Sequence, residues 1–222
     1  MKNLFYILLF SLVFFACKKD NYEPPKSQLT GRVVYNGQAI GVRSTGVQLE
    51  LWQKGYALFT KIPVYVDQDG SYSSMLFDGD YKLVRLRGNG PWVDNTDSID
   101  VKVNGNTQVD VPVVPHFTLA NVSIQKSGDA VTATFTVQQA NAASTLERVN
   151  LYLGTTTIID NTRQDASAEK PAAEVVIGQP VTLSVPLPAA LAGRDYVFAR
   201  VGVKSGNSAE SLFSAPLKIA LK

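Results

Sequence analysis

The chain has 222 residues, a formal net charge of +2 at pH 7, one cysteine and one histidine. This balanced charge lacks the basic excess of nucleic-acid-binding proteins, so we expect no nucleic-acid partner. Single cysteine and histidine residues are too few for a zinc site of nitrogen and sulfur ligands, and an internal disulfide needs two cysteines. We therefore expect no metal or other cofactor, and hydrophobic packing must supply the stability.

Residues 1–16 have the layout of a secretory signal peptide. A short, positively charged start is followed by the apolar run LFYILLFSLVFFA. As a helix this run would span roughly 20 Å, which is short of the hydrocarbon core of about 30 Å. A permanent membrane-spanning helix is therefore the weaker interpretation, and export with removal of residues 1–16 is the prediction.

The cysteine, Cys17, follows this run directly in the stretch FFACKKD. A small residue and then cysteine at this point resembles the lipobox of bacterial lipoproteins, in which the signal is cleaved before the cysteine and lipid is attached to it. The resemblance implies that lipidated Cys17 anchors the protein in a lipid bilayer, whereas the alternative is a free thiol. Several acyl chains, each contributing about 0.8 kcal/mol per buried methylene, would hold it firmly.

Residues 17–27 are predicted to be the lipidated N-terminus and a tether. Pro24 and Pro25 favour an extended conformation that holds the following domain away from the membrane. The charged residues after Cys17 also resemble the short export signals of some Bacteroidota lipoproteins. The expected location is thus the outer membrane, facing the cell surface, with the periplasmic face as the alternative.

The next part of the chain alternates apolar and polar residues with the period of two that is typical of strands. Strands are predicted at residues 29–35, 46–52, 63–67, 71–75 and 80–86. The stretch DSIDVKVNGNTQVDVPV predicts a further hairpin with Asn104-Gly105 at its turn. These motifs, with LTGRVVYNG and DGSYSSMLFDGDY, resemble the carboxypeptidase-regulatory-like, or transthyretin-like, β-sandwich, and they predict such a domain over residues 28–115.

The same residues, together with the Gly90-Pro91-Trp92 segment, resemble a narrower family of two-domain Bacteroidota lipoproteins. The genes of that family lie beside starch-utilisation-type outer-membrane importers and their glycan-binding companions. The resemblance implies SusC/SusD-like proteins and a polysaccharide as partners. It does not identify the sugar.

Residues 116–222 are predicted to form a second sandwich. The stretches VTATFTV and VTLSVPL alternate like half-buried strands, and the polar stretch at residues 160–174 is interpreted as a long surface loop. The end of the chain resembles a fibronectin type III or immunoglobulin-like sandwich, in which Tyr196 would cap a corner. The predicted fold class is therefore all-β, with two tandem β-sandwiches.

Few residues suit catalysis or metal binding. His116 stands next to the domain boundary without a nucleophile-elbow serine, so we interpret it as an interdomain or edge residue. Carboxylates occur mostly in turns, where they bond their own backbone, which argues against a glycosidase pair. The stretch DQDGSYSSMLFD lacks the glycine and bidentate glutamate of a calcium-binding loop, and a hairpin turn is the better interpretation. We expect a protein without catalytic activity.

Aromatic residues provide the candidates for ligand binding. Alternation places Trp52 on the outside of its strand, near Tyr56, where a flat ring would suit a sugar. Trp92 lies in a glycine-rich loop with three short polar residues, Asn89, Asp94 and Asn95, and loops on rigid sandwiches commonly bind ligands. The alternative is that both tryptophans pack against the second domain or fill the end of a sandwich.

The sequence and its resemblances together favour an accessory glycan-binding lipoprotein of a polysaccharide-uptake system. The alternative is a structural or assembly protein of the same outer-membrane complex that does not touch glycan. Substitution of a tryptophan separates the two, because only a glycan binder should lose affinity for sugar while remaining folded.

Overall fold

The structure is a computed structural model that describes residues 23–55 and 59–222. It contains two consecutive β-sandwiches, which confirms the predicted all-β class. The predicted signal peptide, Cys17 and Tyr56 lie outside the described residues. Within them, no helix has the length and apolar character needed to cross a bilayer.

The first sandwich consists of a mixed sheet and an antiparallel sheet. Its strands are β1 (Ser27–Tyr35), β2 (Gln38–Ala39), β3 (Gln48–Gln53), β4 (Lys61–Tyr65), β5 (Ser71–Leu76), β6 (Gly79–Arg85), β7 (Ile99–Val103), β8 (Thr107–Gln108) and β9 (Val111–Pro112). One sheet has the order β2-β1-β5, with β8 and β9 running parallel to β1, and the other has the order β4-β3-β6-β7. Alternation sets the faces: Leu49 and Leu51 are fully buried between the sheets, whereas Trp52 faces outward.

The predicted hairpin around Asn104-Gly105 is not a hairpin. Gly105 does adopt a positive φ of 62°, as a tight turn requires. However, β7 pairs with β6, whereas β8 and β9 pair with β1 in the opposite sheet. The chain therefore crosses between the sheets at this turn, which lets both apolar stretches bury their valines in one core.

The second sandwich has a three-stranded and a five-stranded sheet. Its strands are β10 (Phe117–Ser127), β11 (Ala130–Gln139), β12 (Leu146–Gly154), β13 (Ala166–Pro171), β14 (Pro180–Pro186), β15 (Tyr196–Ser205), β16 (Ser211–Phe213) and β17 (Leu217–Ala220). A 3-10 helix (Ala172–Glu174) and the short helix α1 (Ala189–Ala192) lie between strands. The sheets have the orders β10-β11-β14 and β13-β12-β15-β16, and β17 also pairs with β15.

Two expectations for this sandwich are wrong. The predicted loop at residues 160–174 contains β13, an edge strand whose residues are all exposed or half-buried, so it carries no apolar pattern for a sequence to reveal. Tyr196 does not cap a corner: its ring is 41% exposed, packs edge-on against Phe198 and lies under the ammonium of Lys218.

A fully buried arginine of β15, Arg200, joins the two sandwiches. Its guanidinium donates hydrogen bonds to the carbonyls of Val42 (3.1 Å) and Gln68 (2.7 Å) in the first sandwich. It also donates to the carbonyls of Ile159 (3.1 Å) and Ser214 (2.7 Å) in the second. Burial lowers the pKa of Arg200 to about 10, so the group stays charged at neutral pH.

Two further contacts support the same junction. Phe213 donates its amide to the carbonyl of Gly41 at 2.9 Å, forming a β-bridge between the domains. Arg43 forms a two-pronged ion pair with Glu210. The sandwiches are therefore held by buried, directional bonds as well as by apolar packing.

The first sandwich has opposite ends with different neighbours. At one end, which we call the tether end, the chain enters β1 at Ser27, whose hydroxyl donates to the carboxylate of Asp78 at 2.5 Å. Strand register places the end of β3, at Gln53, beside the start of β6 at this same end. The other end carries Val42 and Gln68 and contacts the second sandwich.

Candidate functional site

Trp92 lies inside the protein. Its side chain is 4% exposed, and its backbone forms a β-bridge with Pro115 at the junction of the sandwiches. The indole covers Gly90, where an added Cβ would come within 2.2 Å of the ring. The expectation of an exposed ring at Trp92 is therefore wrong, and its alternative, a ring packed at the domain boundary, describes the structure.

The polar residues around Trp92 hold their own loop together. Asn89 accepts a hydrogen bond from the amide of Gln48 at 2.6 Å, which ties the loop to β3. Asp94 accepts one from the amide of Gly88 at 2.7 Å. Asn95 accepts one at 2.6 Å from the amide two residues later. These side chains have structural partners, and with Trp92 buried they do not surround a sugar platform.

His116 is buried at the same junction. Its Nδ1 lies 2.7 Å from the hydroxyl of Ser144, and its amide donates to the carbonyl of Pro91 at 3.1 Å. Burial lowers the pKa of this imidazole below its usual value, which favours the neutral ring at neutral pH. The geometry agrees with its interpretation as an interdomain residue.

The acidic stretch DQDGSYSSMLFD begins with a turn at residues 67–70 and continues into β5. Asp69 accepts bonds from both the amide (3.0 Å) and the hydroxyl (2.7 Å) of Ser71. The amide of Gly70 donates to the carbonyl of Asp67 at 2.9 Å. This is the predicted hairpin turn. Among residues 23–55 and 59–222, no group of three or more His, Cys, Asp or Glu side chains is arranged to hold a metal ion.

Trp52 is half-buried on an outer sheet face and is the predicted aromatic candidate that the described residues leave accessible to solvent. It lies on the outer face of the sheet β4-β3-β6-β7, between Lys61 on β4 and Lys82 on β6. Its ring packs against Phe59, with centroids 5.0 Å apart and planes inclined by 40°. Phe59 is 55% exposed. The sequence suggested Tyr56 as the companion ring, whereas the described residues place Phe59 beside Trp52.

A buried carboxylate fixes the orientation of the indole. Glu50 is 7% exposed and accepts a hydrogen bond from Nε1 of Trp52 at 3.2 Å. Its other oxygen accepts a bond from Nζ of Lys61 at 2.6 Å. The ion pair with Lys61 offsets the cost of burying the Glu50 carboxylate. Its bond to Nε1 holds the indole in place before any ligand binds.

A shallow groove of 370 Å³ runs beside Trp52 across β6 and β7. Its walls carry Asp80 and Lys82 from β6, and Asp100 and Lys102 from β7. Lys82 and Asp100 form an ion pair across the two strands. The groove thus places hydrogen-bond donors and acceptors next to an aromatic ring.

The Trp52–Phe59 pair and this groove together form the candidate site, which we call the ring face. Its rings can pack against the apolar face of a ring-shaped ligand, and its ammonium and carboxylate groups can bond hydroxyls. Phe59 was missed because it follows β3 by several residues. The antiparallel pairing of β3 with β4 places Lys61 opposite Trp52, and Phe59, two residues before Lys61, lies beside the indole.

Two family models together match most of the chain. The N-terminal domain of a protein of unknown function, DUF3823, matches residues 27–114, and a domain of unknown function, DUF3823_C, matches residues 117–218. None of the curated proteins matches.

Solved structures of similar proteins share the fold of both domains. A DUF3823 family protein from Bacteroides ovatus is 45% identical with a TM-score of 0.84, and one from Parabacteroides merdae is 34% identical with a TM-score of 0.82. A third, described as a candidate carbohydrate-binding protein from Bacteroides uniformis, is 19% identical with a TM-score of 0.74. Each match covers 89% of this chain and 100% of the other. At 19% identity the third match shows the fold alone.

Proposed function

Because this chain belongs to the DUF3823 family, we propose a function that combines its ring face with the features of its N-terminus. The protein is a non-catalytic lipoprotein of the outer membrane that binds glycan at the Trp52–Phe59 pair. It serves as an accessory component of a SusC/SusD-like polysaccharide-uptake system.

The observation that carries the proposal is an aromatic pair on the outer face of a sheet, in which Trp52 is half-buried and Phe59 is exposed. Apolar side chains of this size are mostly buried, and these two are paired with each other at the surface beside bound charges. Sugar rings have an apolar face and an edge of hydroxyl groups, so they match a site of this composition. The Bacteroides uniformis relative is described as a candidate carbohydrate-binding protein, which supports the same class of ligand.

The proposed anchoring and location rest on features of the sequence. In this proposal Cys17 carries the lipid, residues 17–27 form the tether, and the protein faces the cell surface. Replacing Cys17 with serine should move the protein from the membrane fraction to the soluble fraction and abolish incorporation of labelled fatty acid. Persistence of both in the variant would refute the lipid anchor without affecting the glycan-binding proposal.

Glycan binding is tested by retardation of the purified protein in native gels that contain plant, host and microbial polysaccharides. Trp52→Ala and Phe59→Ala should each weaken the affinity for a retarding glycan about tenfold, as measured from retardation against glycan concentration. A tenfold change corresponds to about 1.4 kcal/mol of binding free energy. The matched control is Tyr196→Ala, which removes a comparably exposed ring from the second sandwich and should leave binding unchanged.

The possible outcomes separate the two functions named above. Retardation that depends on Trp52 and Phe59 supports a binding module. Absence of retardation across the panel, or retardation that both variants retain, refutes glycan binding at the ring face. Copurification with the importer pair in that case would favour the assembly function.

A further inference from the structure

A second groove lies between the two sandwiches, away from the ring face. It has a volume of 570 Å³. The first sandwich contributes Tyr35 and Ile40, and the second contributes Leu119, Val122 and Leu217. We call this site the interdomain groove. Ligand sites occur preferentially at such domain interfaces.

The floor of the interdomain groove is held rigidly. Gly41 and Phe213 both line it, and they form the β-bridge that joins the sandwiches. Arg200 lies against the ring of Phe213, 4.6 Å from its centroid, and bonds the carbonyl of Gln68, another lining residue. The groove therefore exists before a ligand arrives, which reduces the entropy lost on binding.

A β-bulge in β10 shapes one wall. The register with β11 shifts between Ala120 and Ser123, and Asn121 has a φ of 52°, which is uncommon for a residue other than glycine. Leu119 and Val122 are three residues apart, so a regular strand would turn them to opposite faces. The bulge brings both into the groove, and strained backbone of this kind is often kept at functional sites.

The same wall is a free strand edge. β10 is the end strand of its sheet, and among the described residues its strand pairing is with β11 alone. The segment that lines the groove, residues 118–122, therefore has backbone donors and acceptors on its other side that another strand is able to pair with.

The lining of the interdomain groove combines aliphatic and polar side chains. Ile40, Leu119, Val122 and Leu217 provide branched surfaces, and Tyr35 is half-buried. Polar side chains such as Arg32, Gln38 and Thr118 line the groove as well, so it offers contacts both to apolar side chains and to the backbone of a peptide. A free strand edge beside side-chain pockets is the arrangement that recognises extended peptides by strand addition. We propose that the interdomain groove binds an extended peptide segment of a partner protein, with alternate apolar side chains directed into it.

The proposal is tested with a library of random dodecapeptides displayed on phage and selected on the full-length protein in detergent. Selected peptides should carry apolar residues at alternate positions. Leu217→Lys places a charge on a groove residue that is 39% exposed. This variant should bind a synthetic copy of a selected peptide at least tenfold more weakly. The matched control, Val176→Lys, adds the same charge at a 67% exposed aliphatic residue outside the groove and should bind normally.

Hydrogen exchange tests the mode of binding. A selected peptide should slow exchange of the amides in residues 118–122, because strand addition pairs the free edge. The proposal is overturned if no peptide is enriched, if Leu217→Lys binds as well as Val176→Lys, or if these amides are unaffected. Trp52→Ala should bind the peptide normally, so the outcome is independent of glycan binding at the ring face.

Discussion

Replacing Arg200 with methionine should destabilise the protein strongly, although the substitution keeps a long side chain. The guanidinium donates to four backbone carbonyls, two in each sandwich. In the variant, the carbonyl of Gln68 keeps a hydrogen bond from the amide of Val42. The other three carbonyls, those of Val42, Ile159 and Ser214, lose the donor that Arg200 provided. At about 1–3 kcal/mol for each unsatisfied buried group, the loss in unfolding free energy should be at least about 3 kcal/mol.

The assay is equilibrium unfolding in urea, with the midpoint and slope measured for both proteins. The control is Arg43→Met, which removes an ion pair of the same interface whose arginine side chain is 29% exposed. Solvent-accessible pairs contribute roughly 0–1 kcal/mol, so its loss should be several-fold smaller. If Arg200→Met costs no more than Arg43→Met, the buried guanidinium does not join the sandwiches in the way inferred here.

Two other properties should follow from the junction. Burial holds the pKa of His116 below its usual value in the folded protein, whereas the unfolded chain takes up a proton below about pH 6.5, so stability should fall as the pH is lowered through about 6.5. Unfolding curves should show a smaller fall in His116→Gln, and equal falls would contradict this assignment. Gly41→Ala would place a Cβ 2.3 Å from the carbonyl oxygen of Phe213 and should cost about 1–3 kcal/mol. Gly193→Ala, with no atom within 4 Å of its added Cβ, should change thermal stability by less than about 0.5 kcal/mol, and similar effects for the two would refute the close contact.

Local alternation in the sequence predicted the fold class and many core residues. In β11, Val131, Ala133, Phe135 and Val137 are all fully buried, as their spacing indicates. Alternation reports which face of a strand a side chain occupies, and it does not report which sheet the strand joins. For this reason the crossing at Gly105 was mistaken for a hairpin.

The candidate site was harder to predict because its residues depend on contacts distant in sequence. Trp92 is covered where the two sandwiches meet, so its glycine-rich loop alone was misleading. Arg200 occupies an outward position on β15, where alternation predicts exposure, yet the loops carrying Val42 and Gln68 cover it. Trp52 was placed correctly on an outer face because that depends only on the register of β3.

With the lipid anchor proposed above, the position of the tether end would determine how far from the membrane the ring face can bind. Nine residues lie between Cys17 and Ser27, so a lipid on Cys17 would keep the tether end within about 35 Å of the bilayer. Trp52 lies one residue before Gln53, which is at that same end, while the second sandwich is at the other. A glycan bound at the ring face would thus stay in a thin layer above the membrane. The short tether would raise the effective concentration of that glycan for an importer in the same membrane.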